Sequence, residues 1–220
     1  QNGFSIDIVD VLGDWAELNE PQDLARFVLG TKAESLKRLK PLLRKGNIGE
    51  QVSFTQSQFS KNPEAVLSKI YDKFGNSRLI VRSSSFNEDN WIQSLAGVFK
   101  SVMDVPGDDA QKILSAIYEV FASYETNLPE DQVLIQVMLK NVTISGVIMT
   151  RTPNLGAPYY VINFDDVSSR TDTITSGEGK NIRTVYLHHE GKLKSSLPSN
   201  FLNLIEVVKE IELLVGHDSL

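Results

Sequence analysis

The stretch of sequence that decides the fold is Val81-Arg82-Ser83-Ser84-Ser85-Phe86-Asn87-Glu88-Asp89. Leu79 and Ile80 precede it, so an apolar strand carries an arginine near its end and continues into three hydroxyls and two carboxylates. A guanidinium fixed by a rigid strand is a good phosphate ligand, because its planar fork donates to two oxygens at once. Arg82 is therefore a candidate phosphate ligand, and the hydroxyls are candidates to complete its coordination. The alternative is structural, an arginine at the end of a strand that is followed by a serine turn.

On both sides of this stretch, the spacing of apolar residues predicts helices mixed with strands. The predicted helices cover 32–44, 63–74, 108–124 and 198–215, and the predicted strands cover 4–8, 79–82, 98–105, 133–139, 144–150, 159–164 and 183–189. The short spacing between 133 and 150 favours antiparallel pairing, because a parallel crossover needs about a dozen residues or more. The sequence therefore predicts an α+β fold in two lobes that divide near residue 130.

Composition excludes several classes of function. The chain has 220 residues, of which 41% are hydrophobic, as is usual for a globular protein. Its net charge of −6 gives no electrostatic reason to bind nucleic acid. No apolar stretch approaches the ~20 residues that cross a membrane, so we expect no membrane partner. The chain has no cysteine, which excludes disulfides and thiolate zinc sites and fits the cytoplasmic location that we expect.

Two other features of the sequence carry weak signals. His188 and His189 are neighbours on a predicted strand, so they point to opposite faces and cannot jointly hold a metal. The basic residues of 32–45 either line the solvent face of a helix or form a positive rim for a polyphosphate. No nucleophile elbow, Walker loop or dinucleotide fingerprint is present in the sequence.

The order of the motifs resembles the ATP-binding domain of phosphoenolpyruvate synthase and pyruvate phosphate dikinase. That family carries V-R-S-S/G, then E-D, then a serine and an A-G pair, and the same order stands in 81–84, 88–89 and 94–97. A second block at 135–156 is similar to the family's V-Q-x-M … S-G-V-x-x-T-x-x-P-x-x-G. Upstream, 29–36 is similar to G-G-K-x-x-x-L, with Thr31 in place of the second glycine.

The resemblance implies an ATP-grasp-like fold, in which two α+β lobes with mixed or antiparallel sheets close on ATP. The first lobe would be 1–130, with an N-terminal extension over about 1–25, and the second lobe would be 131–220. In the family, a D-I-E segment on the last strand binds the metal. The end of this chain resembles the helix before that strand, so we expect the last strand to be missing and the Mg²⁺ ligands to lie beyond Leu220.

The resemblance also assigns candidate site residues. Lys32 matches the lysine of the family's glycine loop, which contacts ATP phosphates, and Arg82 matches the phosphate-binding arginine. Ser83 and Glu88 belong to the same motif, and Glu88 with its neighbour either contacts the nucleotide or holds the arginine. Gln136 opens the strand near the nucleotide and faces either the nucleotide or the core. No catalytic residue and no metal ligand is expected within the chain.

These matches predict the ATP-binding part of a phosphoenolpyruvate synthase-like or pyruvate phosphate dikinase-like phosphotransferase, with ATP and Mg²⁺ as cofactors. Such a kinase domain positions ATP for phosphoryl transfer to a histidine on another domain. Its partners would be the phosphohistidine and substrate domains of the parent protein, and we expect this chain alone to be inactive. The alternative is a degenerate, non-catalytic nucleotide-binding or interaction domain, which the replacement of a glycine by Thr31 leaves open.

Overall fold

The computed structural model describes residues 30–85, 100–124, 128–153, 155–168, 171, 181–191 and 199–216. The strand predicted at 4–8, the N-terminal extension and the motif residues 88–89 and 94–97 lie outside the described residues. In chain order, the helices and strands are α1 (Lys32–Leu39), β1 (Gln51–Thr55), α2 (Gln56–Lys61), α3 (Pro63–Phe74), β2 (Arg78–Ser84), β3 (Ser101–Pro106), α4 (Ala110–Phe121), β4 (Gln132–Val137), β5 (Ser145–Met149), β6 (Tyr159–Asp165), β7 (Arg183–His188) and α5 (Ser199–Val215).

The limits of α3 follow from the residues at its two ends. Asn62 caps the helix, because its Oδ1 accepts a hydrogen bond from the N–H of Ala65 at 3.0 Å. Pro63 occupies the first helical position, where an N–H would have no partner within the helix. Gly75 ends the helix with φ 54°, a conformation that residues with a β-carbon rarely adopt. The helix predicted over 63–74 is confirmed with the same limits.

The first helix is shorter than predicted. The sequence pattern predicts a helix over 32–44, whereas α1 ends at Leu39. Pro41 explains the difference, because proline has no N–H to donate to the carbonyl one turn earlier and disfavours helical backbone in the residue before it. The residues from 40 to 50 form a loop that leads to β1, and this segment is called loop 40–50 below.

The sequence analysis did not predict β1 and α2, although both have local signals. Along β1 the side chains alternate, and Val52 and Phe54 are buried while their neighbours are half-buried. Thr55 then begins α2 with a capping box, in which its Oγ1 accepts from the N–H of Gln58 and the Gln58 side chain accepts from the N–H of Thr55. A strand of five residues that runs directly into a helix is too short for a clear periodicity.

Four antiparallel strands form the first sheet, in the order β1-β4-β2-β3. The structure therefore places β4 in the first sheet, whereas the division predicted near residue 130 puts this strand in the second lobe. The reason is that Val133 and Ile135 are fully buried in the core of the first sheet, between the strands β1 and β2. The chain passes from the first sheet to the second between Val137 and Ser145.

The main hydrophobic core lies on one face of the first sheet. Apolar side chains of β1, β2 and β4 pack there against α3 and α4. From α4, the predicted residues Ile113, Ile117 and Phe121 are buried in this core. Phe54 and Phe59 stack with their ring centroids 5.6 Å apart, which fixes α2 on the edge of the core.

The second sheet consists of three antiparallel strands in the order β5-β6-β7. The helix α5 packs on one face of this sheet, where Phe201 and Ile205 contact Tyr160, Ile162 and Phe164. The α+β class with antiparallel sheets is thus confirmed, and it agrees with an ATP-grasp-like fold. Within the described ranges, every helix is too short or too polar to cross a membrane.

We predict that Ile205→Ala lowers the free energy of unfolding by about 2–5 kcal/mol, because it leaves a cavity between α5 and the second sheet. Ile205 is 1% exposed in this core. Its neighbour Leu204 is 36% exposed, so Leu204→Ala is a matched control that we expect to cost less than about 1 kcal/mol. Urea unfolding measures both variants. Equal losses would contradict the packing described for α5.

Candidate functional site

The face of the first sheet that lies opposite the main core carries polar side chains. Successive side chains of a strand point to opposite faces, and Val81 and Ile135 lie in the core, so Arg82 and Gln136 lie on the other face. Across the ladders, Gln136 is paired with Gln51 of β1. The polar residues that share this face, called the polar face below, are Gln51, Ser53, Thr55, Arg78, Arg82, Ser84, Gln132 and Gln136, and the buried Ile80 and Leu134 lie among them.

The first turn of α1 lies on the polar face and is capped by its own side chains. Thr31 is the N-cap: its Oγ1 accepts from the N–H of Glu34 at 3.3 Å, and Glu34 Oε2 accepts from the N–H of Thr31 at 3.0 Å. Gln132 of β4 binds both residues, because its Nε2 donates to Glu34 Oε1 at 3.1 Å and its Oε1 accepts from Thr31 Oγ1 at 3.1 Å. The cap of the helix is therefore also its attachment to the sheet.

Two further strands hold the same turn through the main chain of Ala33. Its N–H donates to Ser84 Oγ of β2 at 2.9 Å, and its carbonyl accepts from Gln51 Nε2 of β1 at 2.7 Å. The N–H of Ser84 donates to the hydroxyl of Tyr124 at 2.7 Å, and this hydroxyl donates to the carbonyl of Gln132 at 2.5 Å. Side chains from three neighbouring strands thus fix the start of α1.

Gly30, directly before this turn, requires glycine for two reasons. Its φ is 62°, which residues with a β-carbon rarely adopt. A β-carbon there would also lie 2.3 Å from Glu34 Oε2, which already accepts the N–H of Thr31. Thr31, where the family has glycine, is 1% exposed and serves the cap, so this departure from the family has a structural explanation.

The structure brings some of the predicted site residues together and separates others. Lys32 is the first residue of α1, on the turn that the polar face holds, and Arg82 and Gln136 lie on that face; all three are half-buried. Ser83 points to the opposite face, where it is 2% exposed opposite Val133. Glu88 lies outside the described residues.

The other two serines of the stretch 81–89, Ser84 and Ser85, have hydrogen-bond partners within the protein. Ser84 binds the start of α1, and Ser85 Oγ donates to Asp131 Oδ1 at 2.8 Å. Asp131 is itself buried and accepts from the N–H of Leu128 at 2.8 Å. These bonds fix the end of β2, two and three residues after Arg82.

Sequence reasoning missed Gln51, Gln132, Ser84 and Tyr124 as parts of this arrangement. Gln132 had a signal, since it alternates with buried residues in Gln132–Val137 and thus belongs to the same face as Gln136. The parity of β2 likewise assigns Ser84, two residues after Arg82, to the arginine's face. Tyr124 had no local signal, because its hydroxyl binds strands that are distant in sequence.

The electrostatics of the first turn of α1 differ from those of an open phosphate-binding helix terminus. The N–H groups of Thr31, Ala33 and Glu34 already donate to protein oxygens. A phosphate contact through these residues would cost existing bonds, so the side chains of this face are the better candidates to bind an anion. Among the residues that the structure describes, no group of three or more His, Asp or Glu side chains is placed to hold a metal ion.

Acidic partners bind part of the basic run that follows Lys32. Glu50 pairs with both Lys40 and Lys73, and the Lys73 Nζ to Glu50 Oε2 distance is 2.8 Å. Hydrogen bonds from these two ammonium groups lower the pKa of Glu50 to about 2. Lys45 pairs with Glu206 at 2.6 Å. At Lys40 and Lys45, the basic run therefore makes ion pairs on the protein surface.

Comparison with known families gives one match. Residues 33–129 match the family model described as pyruvate phosphate dikinase, AMP/ATP-binding domain, which confirms the family predicted from the motifs. The match covers less than half of the chain, from α1 to the residues before β4, and includes Arg82 and Ser84. Lys32 and Gln136 lie outside the matched residues. No curated protein matches the chain.

We predict that Tyr124→Phe lowers the free energy of unfolding by about 1–3 kcal/mol, since it leaves the buried N–H of Ser84 without an acceptor. Tyr118→Phe is the matched control, because Tyr118 lies on α4 and is 58% exposed. We expect that variant to stay within about 0.5 kcal/mol of the unaltered protein. Chemical denaturation compares the two. If both variants are equally stable, the hydroxyl of Tyr124 does not hold the polar face together.

Proposed function

We propose that this chain, whose residues 33–129 belong to the pyruvate phosphate dikinase AMP/ATP-binding family, binds ATP over the polar face of its first sheet. One observation carries the proposal: the turn that begins with Lys32 is held on the same face that bears Arg82 and Gln136. A cation on a strand and a cation at a helix start, both attached to one sheet, give a polyphosphate two positive charges on one face.

In this proposal, Arg82 is the main phosphate ligand. Its guanidinium is half-buried, and charged hydrogen bonds gain strength where water is partly excluded. The planar fork binds two phosphate oxygens at once, whereas Lys32 acts as a point charge that neutralises without fixing orientation. The hydrogen bonds of Ser84 and Ser85 restrict the end of the strand that carries Arg82. They therefore reduce the conformational entropy that is lost when ATP binds.

We also propose that the bound ATP donates a phosphoryl group to a histidine on another domain of the parent protein, in the cytoplasm. Phosphoryl transfer needs little covalent chemistry from the protein, and positioning with charge neutralisation does most of the catalysis. Arg82 and Gln136 would orient the phosphates, and Arg82 and Lys32 would neutralise them, while the histidine attacks. Mg²⁺ would supply further neutralisation of the phosphates when bound.

A second candidate function is favoured by the internal bonds of the first turn of α1. Because Thr31 and Glu34 cap each other, this turn has lost part of the usual anion-binding capacity of a helix start. A domain that binds the nucleotide without transferring phosphoryl would tolerate this loss. ATP that binds but stays intact in the presence of the histidine-bearing domain of the parent protein would favour this candidate.

The experiment that tests ATP binding compares two arginines on the same face of β2. We predict that Arg82→Gln weakens ATP binding at least about tenfold in calorimetric titration, because a charged hydrogen bond contributes about 1.5–3 kcal/mol. Arg78→Gln is the matched control: Arg78 lies at the other end of the strand and binds Asp104, with Arg78 Nε 2.6 Å from its Oδ1. We expect this control to change the affinity less than about twofold.

Adenosine separates the phosphate contact from a general loss of the site. Arg82→Gln should leave adenosine binding unchanged, since the guanidinium is assigned to phosphate. If both arginine variants weaken ATP binding equally, or if Arg82→Gln weakens adenosine as much as ATP, the assignment of Arg82 is wrong. If the unaltered chain binds no ATP at millimolar concentration, the proposed function is wrong as a whole.

A further inference from the structure

Loop 40–50 meets α5, although α5 packs on the second sheet. The carboxylate of Glu210 accepts two consecutive main-chain N–H groups, that of Arg44 at 2.8 Å and that of Lys45 at 2.7 Å. One turn earlier on the helix, Glu206 Oε2 lies 2.6 Å from Lys45 Nζ. Two carboxylates at positions i and i+4 of α5 therefore bind one short segment that is distant in sequence.

Close packing accompanies these bonds. A β-carbon on Gly46 would lie 2.9 Å from Val207 Cγ1, so the backbone of the loop lies directly against the helix. Val207 stands between the two carboxylates on α5, whereas Phe201 and Ile205 face the core of the second sheet. One side of α5 therefore packs on the second sheet, and another side contacts loop 40–50.

Loop 40–50 is attached to the first sheet at both of its ends. It continues from α1, whose first turn is held by the polar face. Near β1, Glu50 pairs with Lys40 and with Lys73 of α3, and α3 packs on the main core. A contact between this loop and α5 therefore joins the first sheet to the second sheet.

We propose that Glu206 and Glu210 form an electrostatic latch that holds α5, and with it the second sheet, against loop 40–50. The latch links the second sheet to α1, so that the position of the turn at Lys32 and the arrangement of the two sheets depend on each other. Exposed ion pairs are weak and are screened by salt, so this contact opens far more easily than either core. The latch goes beyond the proposed function, because it needs no nucleotide.

A distance measurement between two spin labels tests the latch. The chain has no cysteine, so Ser115→Cys on α4 and Leu213→Cys on α5 provide two specific attachment sites, and both side chains are exposed. We expect pulsed electron spin resonance to give one narrow distance distribution at low salt. Glu210→Lys, which sets a cation against two N–H donors, should abolish the narrow distribution, and so should about 1 M salt, where the Debye length is about 3 Å.

Two further variants make the result decisive. Leu204→Lys adds a positive charge to an exposed position of the same helix that is not three or four residues from Glu206 or Glu210, and it should leave the distribution narrow. Gly46→Leu drives a side chain between the loop and Val207 without changing the charge, and should broaden the distribution by a steric route. Circular dichroism verifies that each variant keeps its helix content.

An unchanged distribution in Glu210→Lys would overturn the latch, and so would equal broadening in Leu204→Lys. If Gly46→Leu broadens the distribution and Glu210→Lys does not, the packing rather than the carboxylate bonds holds the helix, and the latch is wrong. If the latch proposal is wrong, the proposal that the chain binds ATP is not affected. The label distances are measured without nucleotide, and ATP binding is measured separately by titration.

Discussion

The buried hydroxyl of Ser84 accepts a hydrogen bond from the N–H of Ala33, and this bond joins the start of α1 to the first sheet. β2 brings the serine to its position, Tyr124 holds the serine's own N–H, and Gln132 holds the tyrosine and the helix cap together. A buried donor or acceptor that loses its partner costs about 1–3 kcal/mol. The start of α1 is therefore held to the sheet as one unit, and the backbone of its first turn, which includes Lys32, has a fixed position.

This constraint explains why the polar face is already ordered around the start of α1. The bonds to Thr31, Ala33 and Glu34 satisfy the first N–H groups of the helix, and the serine anchors fix the end of β2. Arg82 and Gln136 lie on the same face, beside these anchors. A face that is already ordered loses little conformational entropy when a ligand binds, so modest charged contacts are enough for recognition. A nucleotide site on this face therefore does not require a fully open helix terminus.

A feature of the fold could be predicted from the sequence where the residues that cause it are close together in the chain. The ends of α3 were predictable, because Asn62, Pro63 and Gly75 act within a few residues of themselves. The place of β4 was not, because its ladders with β1 and β2 join residues that are far apart in the chain. At the candidate site, the motif predicts Arg82 as a phosphate ligand, and this role stays a prediction. The choice of Ser83 missed the parity of the strand, by which Ser84 shares the arginine's face.

The central claim is that ATP binds on the polar face, beside the first turn of α1. The most direct test records amide ¹H–¹⁵N chemical shifts of the chain while ATP is added. The account predicts the largest shift changes at Lys32, Ala33, Arg82 and Gln136, with Ile117 of the main core nearly unchanged. Shift changes confined to the second sheet and α5, with none on the polar face at saturating ATP, would contradict it.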